Sequence, residues 1–457
     1  MPLGPVWPCG HKFSPVLLPE ESREPEHRRW KEWLSEDSAL EPLYQNYWFQ
    51  SMHRAPAKPA PDPSVVDATL SLAGLVASSI VNTSSELSPK DSSFLFWHQV
   101  PEVKNSGLLD VLTAQEQKLQ EAMFEVITSE ASYLRSLTVA VNHFSKCPEL
   151  LNVLTPTERH TLFSNMPEVK EASERFLLDL EERLEENVFV RDISDIVLQH
   201  CIDFRRVYVP YVTNQMYQEK MLQQLMLNDG FVQVLKKLEV QPLCQRQPLK
   251  SFLILPFQRI TRLKIMLAVM ENILVLTSPE CLMLGSVRKA VEAIEEIVRT
   301  CNENVKMMRQ IEELVSLEKR LEFISTKALP LISQTRFLVK EGELSELSAT
   351  GYRHKLGNAP KPIYLHLFND LLLLSRKEED RFSVVDYART SRLGAHCLDA
   401  TSVVFKLRLC ENHKGATRNL ILGARNASEA REWVAAISAQ GTGSESQNKR
   451  MLENAEH

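Results

Sequence analysis

Glycine is scarce, at 14 of 457 residues, which leaves little material for loops that cradle phosphates with bare backbone N–H groups. The sequence has no G-x-x-x-x-G-K-[ST] loop, no G-x-S-x-G turn and no H-E-x-x-H pair. P-loop hydrolysis, α/β-hydrolase chemistry and zinc proteolysis therefore have no anchor. The eight cysteines (Cys9, Cys147, Cys201, Cys244, Cys281, Cys301, Cys397 and Cys410) form no C-x-x-C pair and no Cys/His cluster with zinc spacing. Neither a metal nor any other cofactor is expected, and isolated thiols fit a reducing compartment. Long apolar runs are missing too. The stretch 68–81 is broken by serine and threonine and falls short of the ~20 residues a bilayer span needs. Residues 1–5 carry no charged lead into an apolar core, so no signal peptide is expected. Charge is weak, with a net −6 and a pI near 6.1, which is no footprint for nucleic acid. With 44% hydrophobic and 25% charged residues, the chain reads as a cytoplasmic globular protein of two or three domains.

Residues 1–112 lack sustained periodicity and read as a largely disordered arm. Within it, residues 55–63 carry four prolines in eight positions, Pro56, Pro59, Pro61 and Pro63, which forces an extended linker. Ahead of the linker stands a dense aromatic cluster, Leu43-Tyr44-Gln45-Asn46-Tyr47-Trp48-Phe49. Such a cluster either docks on this chain's own folded part or binds a partner.

From about residue 113 to 315 the period is helical. Leu119, Met123, Val126, Ile127, Leu134, Leu137 and Val141 share helical spacing across residues 117–144. Further helices are expected over 168–187, 193–212 and 215–238. Pro256 opens the next, where its missing N–H does no harm, and 257–276 is apolar almost all round, as a buried central helix would be. The last helix starts near 286, with Val287, Val291, Ile294, Val298, Cys301, Val305 and Met308 along one seam. From 334 to 440 the period shortens. Strands are expected over 336–347, 362–368, 371–376, 382–387, 403–410 and 419–424, with a turn at Asn369-Asp370. A closing helix starts at Asn426 with Glu429 as capping partner and presents Ala430, Trp433, Val434 and Ile437 on one face. The fold class is thus multidomain: an all-α bundle followed by an antiparallel β-barrel capped by a C-terminal helix. Residues 441–457 read as a disordered tail.

Two polar anomalies stand out in the bundle. Glu130 falls in the middle of the stripe formed by Met123, Ile127, Leu134, Leu137 and Val141. A carboxylate there is either held in a buried ion pair or left at an exposed binding face. Arg262, in Gln258-Arg259-x-x-Arg262, falls between Val269 and Ile273, where a guanidinium offers a fork of donors to a partner or pairs internally.

The same residues carry a family resemblance. Residues 122–137, with Glu130-Ala131-Ser132-Tyr133-Leu134, resemble the first conserved segment of Dbl-homology domains. Phe252-Leu253-Ile254-Leu255-Pro256-Phe257-Gln258-Arg259-Ile260-Thr261-Arg262-Leu263 resembles their third, and Val298-Arg299-Thr300-Cys301-Asn302-Glu303 the end of their last exchange helix. The strands and Trp433 helix are similar to the pleckstrin-homology domain that follows nearly every such domain. With Leu43-Tyr44-Gln45-Asn46-Tyr47, the chain looks closest to the ephexin subfamily of Rho exchange factors. Three departures from the pattern are Leu255 and Arg262, where lysine is commoner, and the residues after Gln440, too few for the Src-homology 3 domain that ends ephexins.

The resemblance implies a guanine-nucleotide exchange factor for Rho-family GTPases that works without covalent chemistry. Glu130 would grip the first switch of the GTPase, and Arg262 and Asn302 the second, with Gln258 nearby. Arg246 and Lys250 would favour an acidic surface on the RhoA branch. It also implies that residues 40–52 are an inhibitory segment, released when a tyrosine kinase modifies Tyr44 or Tyr47. Lys340, Arg353 and Lys355 form a partial basic loop for weak phosphoinositide contact at the plasma membrane, solvated loop lysines being the plainer reading. The alternative function is a scaffold that binds GTPase or lipid without driving exchange.

Overall fold

The structure, a computed structural model, describes residues 42–47, 96–277, 279–324, 326–347, 360–399 and 401–453, with side chains as far as 441. The chain divides into two compact units, Met1–Val305 and Lys306–His457.

The first unit is helical. Its long helices are α1 (Ala114–Thr138), α2 (Met166–Glu186), α3 (Ser194–Leu225), α4 (Asp229–Glu239), α5 (Leu255–Thr277) and α6 (Leu282–Glu318); the last of these crosses the boundary between the units. Thr113 caps α1, its hydroxyl accepting from Glu116 N–H at 3.3 Å while the Glu116 carboxylate accepts from Thr113 N–H at 2.8 Å. Helix α1 packs on α2 and α5, and α2 on α3.

Three expectations need correction here. The break expected between 212 and 215 is absent, and α3 runs unbroken through Pro210. Pro210 lies on the exposed side of the helix, where the lost backbone bond faces solvent. The chain turns instead at Asn228, whose side chain caps α4 by accepting from Gly230 N–H at 2.9 Å and Phe231 N–H at 3.3 Å. The central helix is α1, buried at every position from 126 to 137, whereas α5 exposes Ile265, Val269, Val275 and Leu276. The folded unit also starts before residue 113. Trp97 is fully buried, its indole N–H donates to Val188 C=O at 2.7 Å, and the backbone N–H groups of Trp97 and His98 donate to Glu121. Short helices over Pro101–Asn105 and Leu108–Val111 bury Val100 and Val103 behind it.

The second unit is an eight-stranded sheet. Its strands are β1 (Leu321–Glu322), β2 (Leu338–Leu347), β3 (Lys361–Phe368), β4 (Leu371–Glu378), β5 (Arg381–Arg389), β6 (Leu393–Cys397), β7 (Val404–Leu409) and β8 (Arg418–Gly423), in the order β1-β5-β4-β3-β2-β8-β7-β6. All neighbours are antiparallel except β1 and β5. Strands β2–β5, β7 and β8 share one core with Ala430, Trp433 and Ile437 of the closing helix α7 (Ala427–Glu453). A second cluster on the other side of the sheet joins Leu314, Leu317, Leu321 and Leu331 to Phe368, Leu373 and Phe382. The sheet unit therefore takes in residues well ahead of the expected start at 334. Asn426 caps α7 by accepting from Glu429 N–H at 2.9 Å. The Glu429 carboxylate turns back one residue further than expected, to Arg425 N–H at 2.9 Å. The residues read as a disordered tail from 441 are a continuation of α7 as far as Glu453. Strand β6, short and with Gly394 within it, had no expectation in the sequence.

Candidate functional site

Helix α1 presents two acidic residues in different settings. Glu130 is 2% exposed and forms an ion pair with Arg259 of α5, itself 1% exposed, at 2.6 Å. Arg259 donates a second bond to the same carboxylate through Nε at 2.7 Å, and reaches Ser129 Oγ at 3.0 Å. The Ser173 hydroxyl of α2 donates to the other Glu130 oxygen. Burial alone would lower the Arg259 pKa; the adjacent Glu130 charge outweighs it and holds the guanidinium protonated. Three helices are thus tied together by one buried, fully paired charge centre. The buried ion pair, one of the two alternatives open for Glu130, is what the structure shows.

Glu125 lies on the other side of α1. It pairs with Arg262 at 2.7 Å, and both stay accessible, at 37% and 21% side-chain exposure. Glu125 was missed in the sequence although a signal was there. Glu125, Thr128, Ser129, Ser132 and Ser136 recur at spacings of three and four, a polar stripe down one face of α1. Of the other expected site residues in this unit, Asn302 and Arg246 are exposed and Gln258 is half-buried. Arg246 follows Gln245 in a turn where both residues are left-handed, at φ 63° and 46°.

The polar stripe is covered by residues 42–47. Leu43, Tyr44 and Tyr47 are buried, at 1%, 3% and 8% exposure, in a single helical turn. Tyr44 N–H donates to Ser136 Oγ at 2.9 Å, and Ser136 in turn donates to Gln45 Oε1 at 3.2 Å. The Tyr47 and Thr128 hydroxyls share a bond at 3.0 Å. The Tyr44 ring packs edge-on to Tyr133 at 5.6 Å, with the Arg259 guanidinium 5.9 Å from its centre. Burial raises the pKa of both phenols: Arg259 opposes the rise at Tyr44, and the Glu125 charge adds to it at Tyr47. The aromatic arm therefore docks on this chain's own folded part. Trp48, Phe49 and the rest of 40–52 lie outside the described residues, as does the proline linker.

Of the three expected lipid-contact residues, Arg353 and Lys355 also lie outside the described residues. Lys340 is engaged within the sheet unit, 2.8 Å from Glu432 and 5.2 Å above the Trp433 ring. Among the described residues, no group of His, Cys, Asp and Glu could hold a metal ion, and no helix is long and apolar enough to cross a membrane.

Residues 122–302, which contain Glu125, Glu130, Arg259, Arg262 and Asn302, match the RhoGEF domain family. The helical unit carries a RhoGEF domain. Rho guanine nucleotide exchange factor 5 of Mus musculus is 47% identical over 356 residues, 76% of this chain and 22% of that protein. Ephexin-1 of Rattus norvegicus is 41% identical over 359 residues, 77% of this chain and 51% of its own length. The chain thus spans about half or less of the length of these relatives, and their similarity places its RhoGEF domain near the ephexin subfamily. Among solved structures, the DH/PH domains of PDZ-RhoGEF, in a complex with GTP-gamma-S activated RhoA, align with a TM-score of 0.61 at 21% identity, covering 76% of this chain and 99% of that one. The shared fold is a helical bundle followed by a strand-rich sheet and a C-terminal helix.

Proposed function

We propose that the chain promotes GDP release and GTP loading on a Rho-family GTPase, and that residues 42–47 hold it in an inhibited state. The reading rests on one observation: the accessible ion pair of the RhoGEF domain, Glu125–Arg262, lies on the polar stripe that the arm covers. Glu125 and Arg262, with Asn302 on α6, are the contacts to the switch segments of the GTPase. Glu130 acts at one remove, by fixing Arg259 and with it the register of α1 against α5. Binding the switches in a form that no longer suits magnesium and phosphate lowers the affinity for GDP, and abundant GTP then enters. The work is differential binding, so no residue here needs to form a covalent bond.

RhoA is the first GTPase to test, because the aligned PDZ-RhoGEF domains bind it and the exposed Arg246 suits an acidic surface. The test is release of fluorescent GDP from RhoA, Rac and a related Rho-family GTPase by the intact chain and by a Tyr44→Glu variant. Release by the variant from at least one of the three, faster than spontaneous loss, supports the reading. Equal, spontaneous rates with both proteins would leave a binding scaffold.

A further inference from the structure

The arm is held by more than its aromatic rings. Four of its hydrogen bonds go to the segment 245–251, ahead of α5. Leu43 N–H and Asn46 Nδ2 both donate to Gln245 Oε1, at 3.1 and 2.8 Å. Gln247 Nε2 donates to Asn46 Oδ1 at 3.0 Å, and Gln45 Nε2 to Ser251 Oγ at 3.3 Å. Leu43 opens the helical turn of the arm, so its N–H has no partner within that turn. Leaving it bare in a buried contact would be costly. The Gln245 carboxamide oxygen takes that N–H and the Asn46 side chain together.

The backbone around Gln245 is unusual as well. Gln245 sits at φ 46°, ψ 41° and Arg246 at φ 63°, two successive non-glycine residues in the left-handed region. Such conformations persist where surrounding bonds impose them. Here Gln245 N–H donates to Pro242 C=O at 3.0 Å and Gln247 N–H to Cys244 C=O at 2.8 Å. The turn they enforce aims the Gln245 side chain at the arm.

We infer that Gln245 is the latch of the arm, and that opening of this latch precedes any modification of Tyr44. A tyrosine kinase must draw the phenol into its own cleft, and docked Tyr44 is 3% exposed with its ring against Tyr133 and Arg259. The docked arm is therefore no substrate. The kinase acts on the fraction already open, and the added phosphate, with a charge of about −1.5 to −2, prevents return to the buried position. Latch strength sets basal exchange and the rate of phosphorylation together. The effect on exchange rests on the inhibitory reading above, whereas the effect on docking does not.

The experiment compares the intact chain with Gln245→Ala and with Gln245→Glu, which keeps acceptor oxygens at the same reach. Amide hydrogen exchange of residues 43–47, phosphorylation of Tyr44 by a purified tyrosine kinase domain, and GDP release from RhoA are measured on each. Losing two hydrogen bonds should open the arm by roughly tenfold. Gln245→Ala should then lose protection of 43–47 and gain Tyr44 phosphorylation by a similar factor, while Gln245→Glu, which keeps the acceptor for Leu43 N–H and Asn46 Nδ2, should retain more protection and gain less phosphorylation than Gln245→Ala. Combining Gln245→Ala with Tyr44→Glu should add no further exchange beyond Tyr44→Glu alone. Unchanged protection and unchanged phosphorylation in Gln245→Ala would overturn the latch. Lost protection with unchanged GDP release would uphold the latch and count against the inhibitory reading instead.

Discussion

Glu125 and Glu130 are five positions apart on α1, which sets them about 140° from one another around the helix. That rotation decides their chemistry. Glu130 enters the space between α2 and α5, where a charge survives only with a full set of partners, and Ser173 and Arg259 supply them. Glu125 stays on the polar stripe with Arg262, where a solvated pair stabilises the fold by at most about 1 kcal/mol. The two residues should therefore separate cleanly by experiment. In the arm-released Tyr44→Glu background, Glu125→Ala should cut GDP release tenfold or more while the melting transition moves little. Glu130→Ala leaves a buried guanidinium without its counter-charge and should cost about 3–5 kcal/mol of stability. Calorimetry read beside the exchange rate checks both. A Glu125→Ala protein that exchanges normally would remove this residue from the binding face. The sequence showed that a carboxylate at 130 was out of place, but helical spacing cannot tell a paired buried charge from an exposed one. The partner that decides it, Arg259, is 129 residues away.

The arm shows how a short element can hold without a long helix. Residues 42–47 form one turn, too short to be stable alone, yet Leu43 and Tyr44 join the main core of the first unit. The Tyr44 position has little room for charge, since burial already disfavours the phenolate despite Arg259 nearby. Tyr44→Glu should undock the turn and raise GDP release severalfold in the intact chain. Tyr44→Phe, which keeps the ring against Tyr133, should leave exchange at the basal level. GDP-release rates at equal concentration of the three proteins make the check, and equal rates throughout would mean the arm does not inhibit. The elements legible in the sequence were those whose signal is local: the apolar spacing of α1 and α6, and the Asn426 cap. Those misread depend on distant partners. Helix α5 looks central by composition, yet exposes Ile265 and Val269, while α1 becomes central because the arm covers its polar side.

At the scale of the whole chain, the helical unit has one apolar core through α1–α6, and the sheet unit has two, one capped by Trp433 and one on the opposite side of the sheet. The sheet unit also carries a pH liability that no sequence pattern announces. His366 on β3 is fully buried, packed against Tyr364 and Phe382 at 4.8 and 4.7 Å. Burial, assisted by the Arg320 charge, lowers its pKa from 6.5 to about 3. Glu341 approaches to 3.4 Å, but at 41% exposure it is too solvated to offset that burial. Between pH 6.5 and 3 the unfolded chain binds a proton at this position that the folded chain refuses. Stability is therefore fully present above pH 6.5 and falls with acidification, by about 1.4 kcal/mol per unit, until the folded ring titrates near pH 3. Asp386 adds to the loss at the acid end. Burial raises its pKa, but bonds from His413, Arg418 and Asn412 outweigh that and hold it below the usual value of 3.8. His366→Phe removes the first contribution and leaves the second. Amide hydrogen exchange of β3 and β4, followed from pH 7 to 4, should show steadily weakening protection in the native protein. The variant should hold its protection over the upper part of that range and weaken only as Asp386 begins to titrate. Parallel decline in both proteins would mean that His366 is protonated in the folded state, with Glu341 as its counter-charge.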